Sequence, residues 1–310
     1  HVAISYVDSS DANKNEMTTE ENTFHFVRPG EFDKSGQPAK LSGGGKDRKT
    51  LARLISPQIP EVLKKHPPGK FNIIVHSGSG ATGPTAGPLL AMELMRRRHD
   101  VIVIMMGSSA SYAEINNTTL TMEAYSSFVN DVDRPVVMYY RETTPNYPEF
   151  KVDADVRSAL FTLGMVFSPD NHRVDSTDLS NVLNYHRVSK FRKELVQNDV
   201  FNEKLELPEY VLPITQAILI DPEEESTLGA RHDEILAQCS ADGVLNEKFA
   251  SRIRNTTNKS ATAKSLRALV FTGSLPAIHQ RLQSERSRFL KDLEARERAT
   301  TSIQATAAPS

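Results

Sequence analysis

Val101-Ile102-Val103-Ile104-Met105-Met106 is an unbroken apolar run that ends at Gly107. A run this short, rich in β-branched residues and without polar alternation, is what a strand covered on both faces requires. Helices must then pack on both sides of the sheet that holds it. The neighbouring chain repeats the theme. Val2-Ala3-Ile4-Ser5-Tyr6-Val7, Phe71-Asn72-Ile73-Ile74-Val75 and Pro135-Val136-Val137-Met138-Tyr139-Tyr140 read as further strands. A recurring order of strand, loop and helix predicts an α/β fold with a doubly wound, Rossmann-like parallel sheet. Ligands of such sheets bind beyond the C-terminal ends of the strands.

The small-residue loops fall at that edge. His76-Ser77-Gly78-Ser79-Gly80-Ala81-Thr82-Gly83-Pro84-Thr85-Ala86-Gly87-Pro88 joins the strand at 71–75 to a helical pattern that continues to about His99. Glycines at 78, 80 and 83 would let peptide N–H groups approach a phosphate. Ser79 and Thr82 add hydroxyl donors, and the following helix turns its positive end to the anion. The same pattern also serves as a plain tight turn. Ser42-Gly43-Gly44-Gly45-Lys46-Asp47 is a second glycine cluster. It precedes a helical stripe of Leu51, Leu54, Ile55, Ile59, Val62 and Leu63, which Pro57 and Pro60 should kink or split. It reads either as a close approach to a ligand or as a flexible loop. Asp8-Ser9-Ser10-Asp11, at the end of the first strand, suits a ribose or a metal ion, and equally an Asx-type turn.

Other segments are read more plainly. Thr23–Val27 is a short strand candidate, and Pro29 to Lys40 is expected to be an exposed loop. The helix near Ile115–Val129 is followed, after the strand at 135–140, by a helix from Val152. Its stripe of Val152, Val156, Ala159, Leu160, Leu163 and Phe167 predicts a central packed helix. Beyond Pro169 comes Asp170-Asn171-His172-Arg173-Val174-Asp175-Ser176-Thr177-Asp178, then a helix with Leu179, Val182 and Leu183 inward. Asp175 and Asp178 fit an N-terminal capping pair. They also fit two carboxylates able to orient a water for attack on a phosphate. From residue 205 the composition shifts to a mixed pattern. Strands are expected at Tyr210–Asp221 and Leu266–Phe271, helices at Glu234–Gln238 and from Leu275 to Arg298. Ala299–Ser310 is expected to be a disordered tail.

Composition narrows the function classes. A net charge of -2 over 310 residues gives no basic footprint for nucleic acid. Cys239 is the single cysteine, so no disulfide can form within the chain. No apolar run approaches membrane-spanning length and no signal peptide opens the chain, so no membrane association is expected.

Taken together, the strand ending in Val7-Asp8-Ser9-Ser10-Asp11, the loops Ser42–Lys46 and Ser79–Pro84, the long helix, and Arg173-Val174-Asp175-Ser176-Thr177-Asp178 resemble the tubulin/FtsZ superfamily. Within it the PhuZ-type phage tubulins are the nearest likeness. The likeness runs from residue 1 to about residue 190. It implies a nucleotide-binding domain at 1–150, a central helix with a catalytic loop at 151–190, and a smaller α+β domain at 191–298. It also implies a GTPase with GTP/GDP and Mg2+ as ligands, forming head-to-tail filaments. By that resemblance Ser79, Gly80, Ala81, Thr82 and Gly83 hold the phosphates, and Ser42, Gly43, Gly44 and Gly45 face the terminal one. Asp8 and Ser9 join the nucleotide site, and Asp153 stands against the guanine edge. Asp175 and Asp178 act on the water at a neighbouring subunit's nucleotide.

The departures are specific. Ser79 and Ala81 occupy two glycine places of the family's signature loop, Pro84 its serine place and Thr85 its last glycine. Arg173 replaces an asparagine. The family's first strand, first phosphate loop and first helix have no counterpart before His1. The resemblance further implies a phage protein in the cytoplasm of a bacterial host, positioning phage DNA or its replication compartment. Its partners would be further copies of itself and components associated with phage DNA or the capsid. Two alternatives stand beside this: a tubulin-fold assembly protein that does not hydrolyse, and a Rossmann-type NAD(P)-dependent oxidoreductase. The second lacks the final glycine spacing of the dinucleotide fingerprint.

Overall fold

In the computed structural model the apolar run becomes strand β6 (Asp100–Ser108), buried at every position except Met106. The structure describes residues 3–10, 14–41, 48–167, 176–187, 192–201, 216–220, 250–253, 268–274 and 276–306. In β6, alternate side chains enter different cores, as the two-residue repeat of a strand demands. Ile102 and Ile104 join one, and Val101, Val103 and Met105 the other.

On either side of β6 run β5 (Phe71–Ser77) and β7 (Val136–Thr143), both parallel to it. One face is covered by α3 (Thr82–Arg96) and α4 (Tyr112–Val132), through Ala91, Leu94 and Met95 and through Ile115, Met122, Tyr125 and Val129. The other is covered by α5 (Glu149–Val166) and α6 (Ser176–Leu183). Val152, Val156, Ala159 and Leu163 of α5 are buried, as the stripe predicted, and so are Leu179, Val182 and Leu183 of α6. Both helical faces are therefore bought by burial of apolar side chains against the sheet.

The sheet has seven described strands in the order β10-β9-β11-β8-β7-β6-β5. Strand β8 (Leu195–Phe201) is parallel to β7, and β11 (Ala268–Ser274) is antiparallel to β8. Next come β9 (Gln216–Ile220) and, parallel to it, β10 (Ala250–Ile253). The expected strands at 210–221 and 266–271 correspond to β9 and β11. Neither β8 nor β10 was anticipated, and the helix expected at 234–238 lies outside the described residues. The C-terminal helix α7 (Pro276–Thr306) runs past Arg298 into the stretch expected to be a tail. Leu282 of α7 is fully buried beside α4, with Ile278 and Phe289 packed against the same core.

The N-terminal part differs more from expectation. Strand β1 is short (Tyr6–Asp8) and pairs in parallel with β2 (Thr23–His25), in a separate two-stranded sheet. The exposed loop expected from Pro29 to Lys40 is instead a hairpin of β3 (Val27–Phe32) and β4 (Pro38–Lys40). Its turn is held by the Asp33 carboxylate, which accepts from the Ser35 and Gln37 amides and the Ser35 hydroxyl. Those hydrogen bonds hold the Asp33 carboxyl below the usual carboxylate range. The helical stripe at 51–63 is split as the prolines required. Helix α1 (Arg48–Ile55) passes through a 3-10 turn at Ser56–Gln58 into α2 (Ile59–Lys65).

A buried polar cluster pins the start of β6. Arg134 donates to the Asp100 carboxylate at 2.6 Å, to Asn184 Oδ1 at 2.7 Å and to the His99 carbonyl at 2.8 Å. Asn184 donates to the same Asp100 oxygen at 2.9 Å. This joins β6, the start of β7 and the end of α6 at the sheet edge opposite the glycine loop.

Candidate nucleotide site

The glycine loop leaves β5 at Ser77 and enters α3 at Thr82. Its geometry is set from two sides. The Ser77 hydroxyl accepts from the Ser79 and Gly80 amides at 3.2 and 3.3 Å. From α4, Asn117 Nδ2 donates to the carbonyls of Ser79 and Gly80 at 3.1 and 3.2 Å. The Thr121 hydroxyl lies 3.2 Å from the Gly78 carbonyl and donates at 2.6 Å to that of Asn117. The carbonyls of residues 78–80 are thus held towards α4. An anion approaching the loop would otherwise meet their negative ends. The N-cap of α3, Ala81, offers no side-chain cap to the helix's first amides. Pro84, in the first turn, has no N–H to offer.

Ser9 reaches this loop from β1. It is almost fully buried, and its hydroxyl lies 2.5 Å from the Thr82 hydroxyl. Its amide donates to the Asp8 carboxylate at 2.6 Å. Asp8, Ser9 and Ser79–Gly83 are therefore brought together. Gly83 also has a packing reason to be glycine. A Cβ there would stand 2.8 Å from the Ser77 carbonyl oxygen, where α3 crosses the end of β5. At Gly80 the nearest atom would be 3.8 Å away, so sterics do not require a glycine.

Beneath the loop is His76, buried and bonded at both ring nitrogens. Nδ1 is 2.9 Å from the Ser77 carbonyl and Nε2 is 2.8 Å from the Tyr125 hydroxyl. A carbonyl only accepts, so Nδ1 carries the proton and Nε2 accepts from Tyr125. Burial, with the nearby Arg48 charge, pushes the imidazole down to about 4, while the bond to Ser77 opposes that shift. Burial likewise keeps Tyr125 protonated as the donor.

The neighbouring loops are organised by carboxylates. Ser108, which ends β6, donates to Glu114 at 2.9 Å. Glu142, near the end of β7, accepts from the Tyr140 hydroxyl at 2.7 Å and from Ser109 at 3.2 Å. Arg281 of α7 grips both Glu142 oxygens, at 3.0 and 2.6 Å. The C-terminal helix is thereby tied to the sheet edge that carries the loops.

The other expected residues are placed differently. Asp153 is exposed in the second turn of α5, while Asp155 is buried and accepts from Tyr147 at 2.7 Å. Ser42, Gly43, Gly44, Gly45 and Asp175 lie outside the described residues. Asp178 belongs to α6, but its side chain is outside them too. Reading the sequence missed Ser77, Asn117, Thr121 and Arg48. One signal was available for α4. Thr118, Thr119 and Thr121 are polar residues fully buried on the helix that backs the loop.

No model of a known protein family matches the chain. A relative from Pseudomonas phage phiKZ, described as a phage tubulin-like protein, is 27% identical over 229 residues. That match spans 74% of this chain and 70% of the relative. The structure superposes on the protofilament of TubZ from bacteriophage PhiKZ with a TM-score of 0.73 at 22% identity. The superposition covers 95% of this chain and 85% of that one. The chain has the tubulin/FtsZ fold. The phage tubulin PhuZ in complex with GDP has the same fold, with a TM-score of 0.71 at 17% identity over 94% of this chain and 85% of that one. The chain is thus similar to phage tubulin-like proteins, and its glycine loop lies at the sheet edge where α/β folds bind ligands. Among the described residues, no helix is long and apolar enough to cross a membrane.

Proposed function

We propose that the chain is a GTP-binding, filament-forming phage tubulin whose GTP is hydrolysed between adjacent subunits. The observation that carries this is the orientation of the 78–80 carbonyls. Asn117 and Thr121 hold them away, beside an uncapped helix start and the Ser9 and Thr82 hydroxyls. That is a surface built for a phosphate chain. Guanine is preferred because one relative of this fold is described with GDP, and filament growth because another is described as a protofilament.

Hydrolysis needs a water held in line with the terminal phosphorus and a base for its proton. In this reading Asp175 and Asp178 of the next subunit orient that water and accept the proton as the terminal P–O bond breaks. Ser79–Gly83 hold the phosphates, Ser42–Gly45 face the terminal one, and Asp153 meets the guanine edge. Among the described residues no group of three or more His, Cys, Asp or Glu side chains could hold a metal ion. Asp8, with Ser9 and Thr82 beside it, suits Mg2+ that is held chiefly by water and nucleotide phosphates. Mg2+ would supply charge neutralisation to those phosphates. The filaments would act in the host cytoplasm, positioning phage DNA or its compartment.

The test is sedimentation and light scattering with GTP and with ATP. GTP alone should produce polymer, and Asp178→Ala should give polymer that persists because phosphate release stops. Scattering that ignores the nucleotide, in wild type and variant alike, refutes the reading. Pro84, which removes a donor from the first turn of α3, favours a second reading. There the fold assembles on bound nucleotide without turnover, and wild-type polymer would release no phosphate.

A further inference from the structure

We propose that Arg48 is a positioning residue of the glycine-loop site, holding the loop's two supporting helices and supplying the site's positive charge. The inference rests on the GTP reading and deepens it. Arg48 is the first residue of α1, and its guanidinium reaches two other helices. Nη2 donates to the Pro84 carbonyl at 2.8 Å and Nη1 to the Asn117 carbonyl at 3.0 Å.

The first bond has a cause in the sequence. The Pro84 carbonyl would ordinarily accept from the amide four residues on, and that residue is Pro88, inside α3. Pro88 has no N–H, so the carbonyl is left to Arg48. The second bond falls on Asn117, whose side chain holds back the Ser79 and Gly80 carbonyls. One guanidinium therefore fixes the first turn of α3 against the residue that shapes the loop.

Those two carbonyls could be served by a neutral donor, so the charge needs its own explanation. Arg48 is half-buried and forms no ion pair among the described residues. Glu123, whose field reaches it, is approached by Arg286 at 3.8 Å and by Gln283 at 3.4 Å from α7. The field of Arg48 is felt at the base of the loop, where it disfavours a charged His76. A desolvated guanidinium with no counter-ion among the described residues favours the arrival of an anion. A chain of phosphates on the loop next to Pro84 and Asn117 is an anion of the right kind and place.

The experiment compares Arg48→Gln with Arg48→Lys in equilibrium binding of GTP, GDP and GMP. Arg48→Gln keeps amide donors and loses the charge, whereas Arg48→Lys keeps the charge and loses the fork. Circular dichroism and thermal melting establish that each variant is folded. For Arg48→Gln, GTP affinity should fall about tenfold or more, GDP less and GMP least, because the loss grows with ligand charge. Arg48→Lys should recover much of the GTP:GDP ratio but with slower phosphate release, since a point charge cannot fix both carbonyls. Rising salt should narrow the difference between wild type and Arg48→Gln. Equal losses for all three nucleotides, or none, would make Arg48 a structural residue only and overturn the proposal while leaving the GTP reading intact. A wild-type protein that binds none of them refutes the GTP reading and the proposal together.

Discussion

Lowering the pH should destabilise this protein through His76 in a defined window. In the folded state the imidazole is neutral, with Nδ1–H on the Ser77 carbonyl and Nε2 accepting from Tyr125. Its pKa is depressed from 6.5 to about 4. In the unfolded chain it returns to about 6.5. Between those values the unfolded state binds the extra proton, so stability rises with pH across the window. The contribution is complete above about pH 6.5 and is lost progressively as the pH falls towards about 4. At 1.36 kcal/mol per pKa unit the loss is about 3 kcal/mol, a large share of a stability of roughly 5–15 kcal/mol. The assay is urea unfolding at intervals from pH 7 to pH 4 for wild type and His76→Asn. The variant removes the titrating ring, so the two curves of stability against pH should converge as acid is added. Nuclear magnetic resonance of the His76 ring in the folded protein gives the pKa directly. Parallel curves, or a folded-state titration near 6.5, would refute the reasoning.

Two further substitutions test the packing that positions the site. Gly87→Ala would place a methyl group 2.5 Å from His76 Cδ2 and 2.7 Å from Nε2, against a ring held at both nitrogens. Overpacking of about 1–3 kcal/mol should exceed the helix gain of about 1 kcal/mol, so the melting temperature should fall. Gly80→Ala, with its nearest neighbour at 3.8 Å, should melt near wild type, and the reverse order would contradict the packing. Asp100→Asn leaves the buried Arg134 guanidinium without its counter-charge. Chemical denaturation should show a loss of about 3–5 kcal/mol, partly recovered by replacing Arg134 with methionine as well; an unchanged midpoint would mean the pair is not buried in solution.

Much of the fold was legible because it depends on local periodicity. The apolar run at 101–106 demanded a strand covered on both faces, and β6 sends its side chains into two cores. The stripe in α5 and the proline break between α1 and α2 follow equally from residue spacing. The hairpin β3–β4 was not legible, because its pairing rests on the side-chain turn at Asp33. Strand β10 has only four residues and β8 is interrupted by Gln197-Asn198-Asp199, and both gain their partners only from the assembled sheet. At the site, glycines and hydroxyls after β5 marked the loop, and those residues stand for themselves in the sequence. The residues that shape it do not, since their effect requires proximity across the fold. Asn117 supports the loop from the next helix, Ser9 reaches Thr82 from a different sheet, and Arg48 serves a carbonyl orphaned by a proline in a helix of which it is no part. The chain by itself determined the strands and helices that carry a clear residue period, and where an anion loop could form. Tertiary structure alone decided which way that loop's carbonyls point and which charges surround it, because hydrogen bonds between distant residues exist only once the layers have packed.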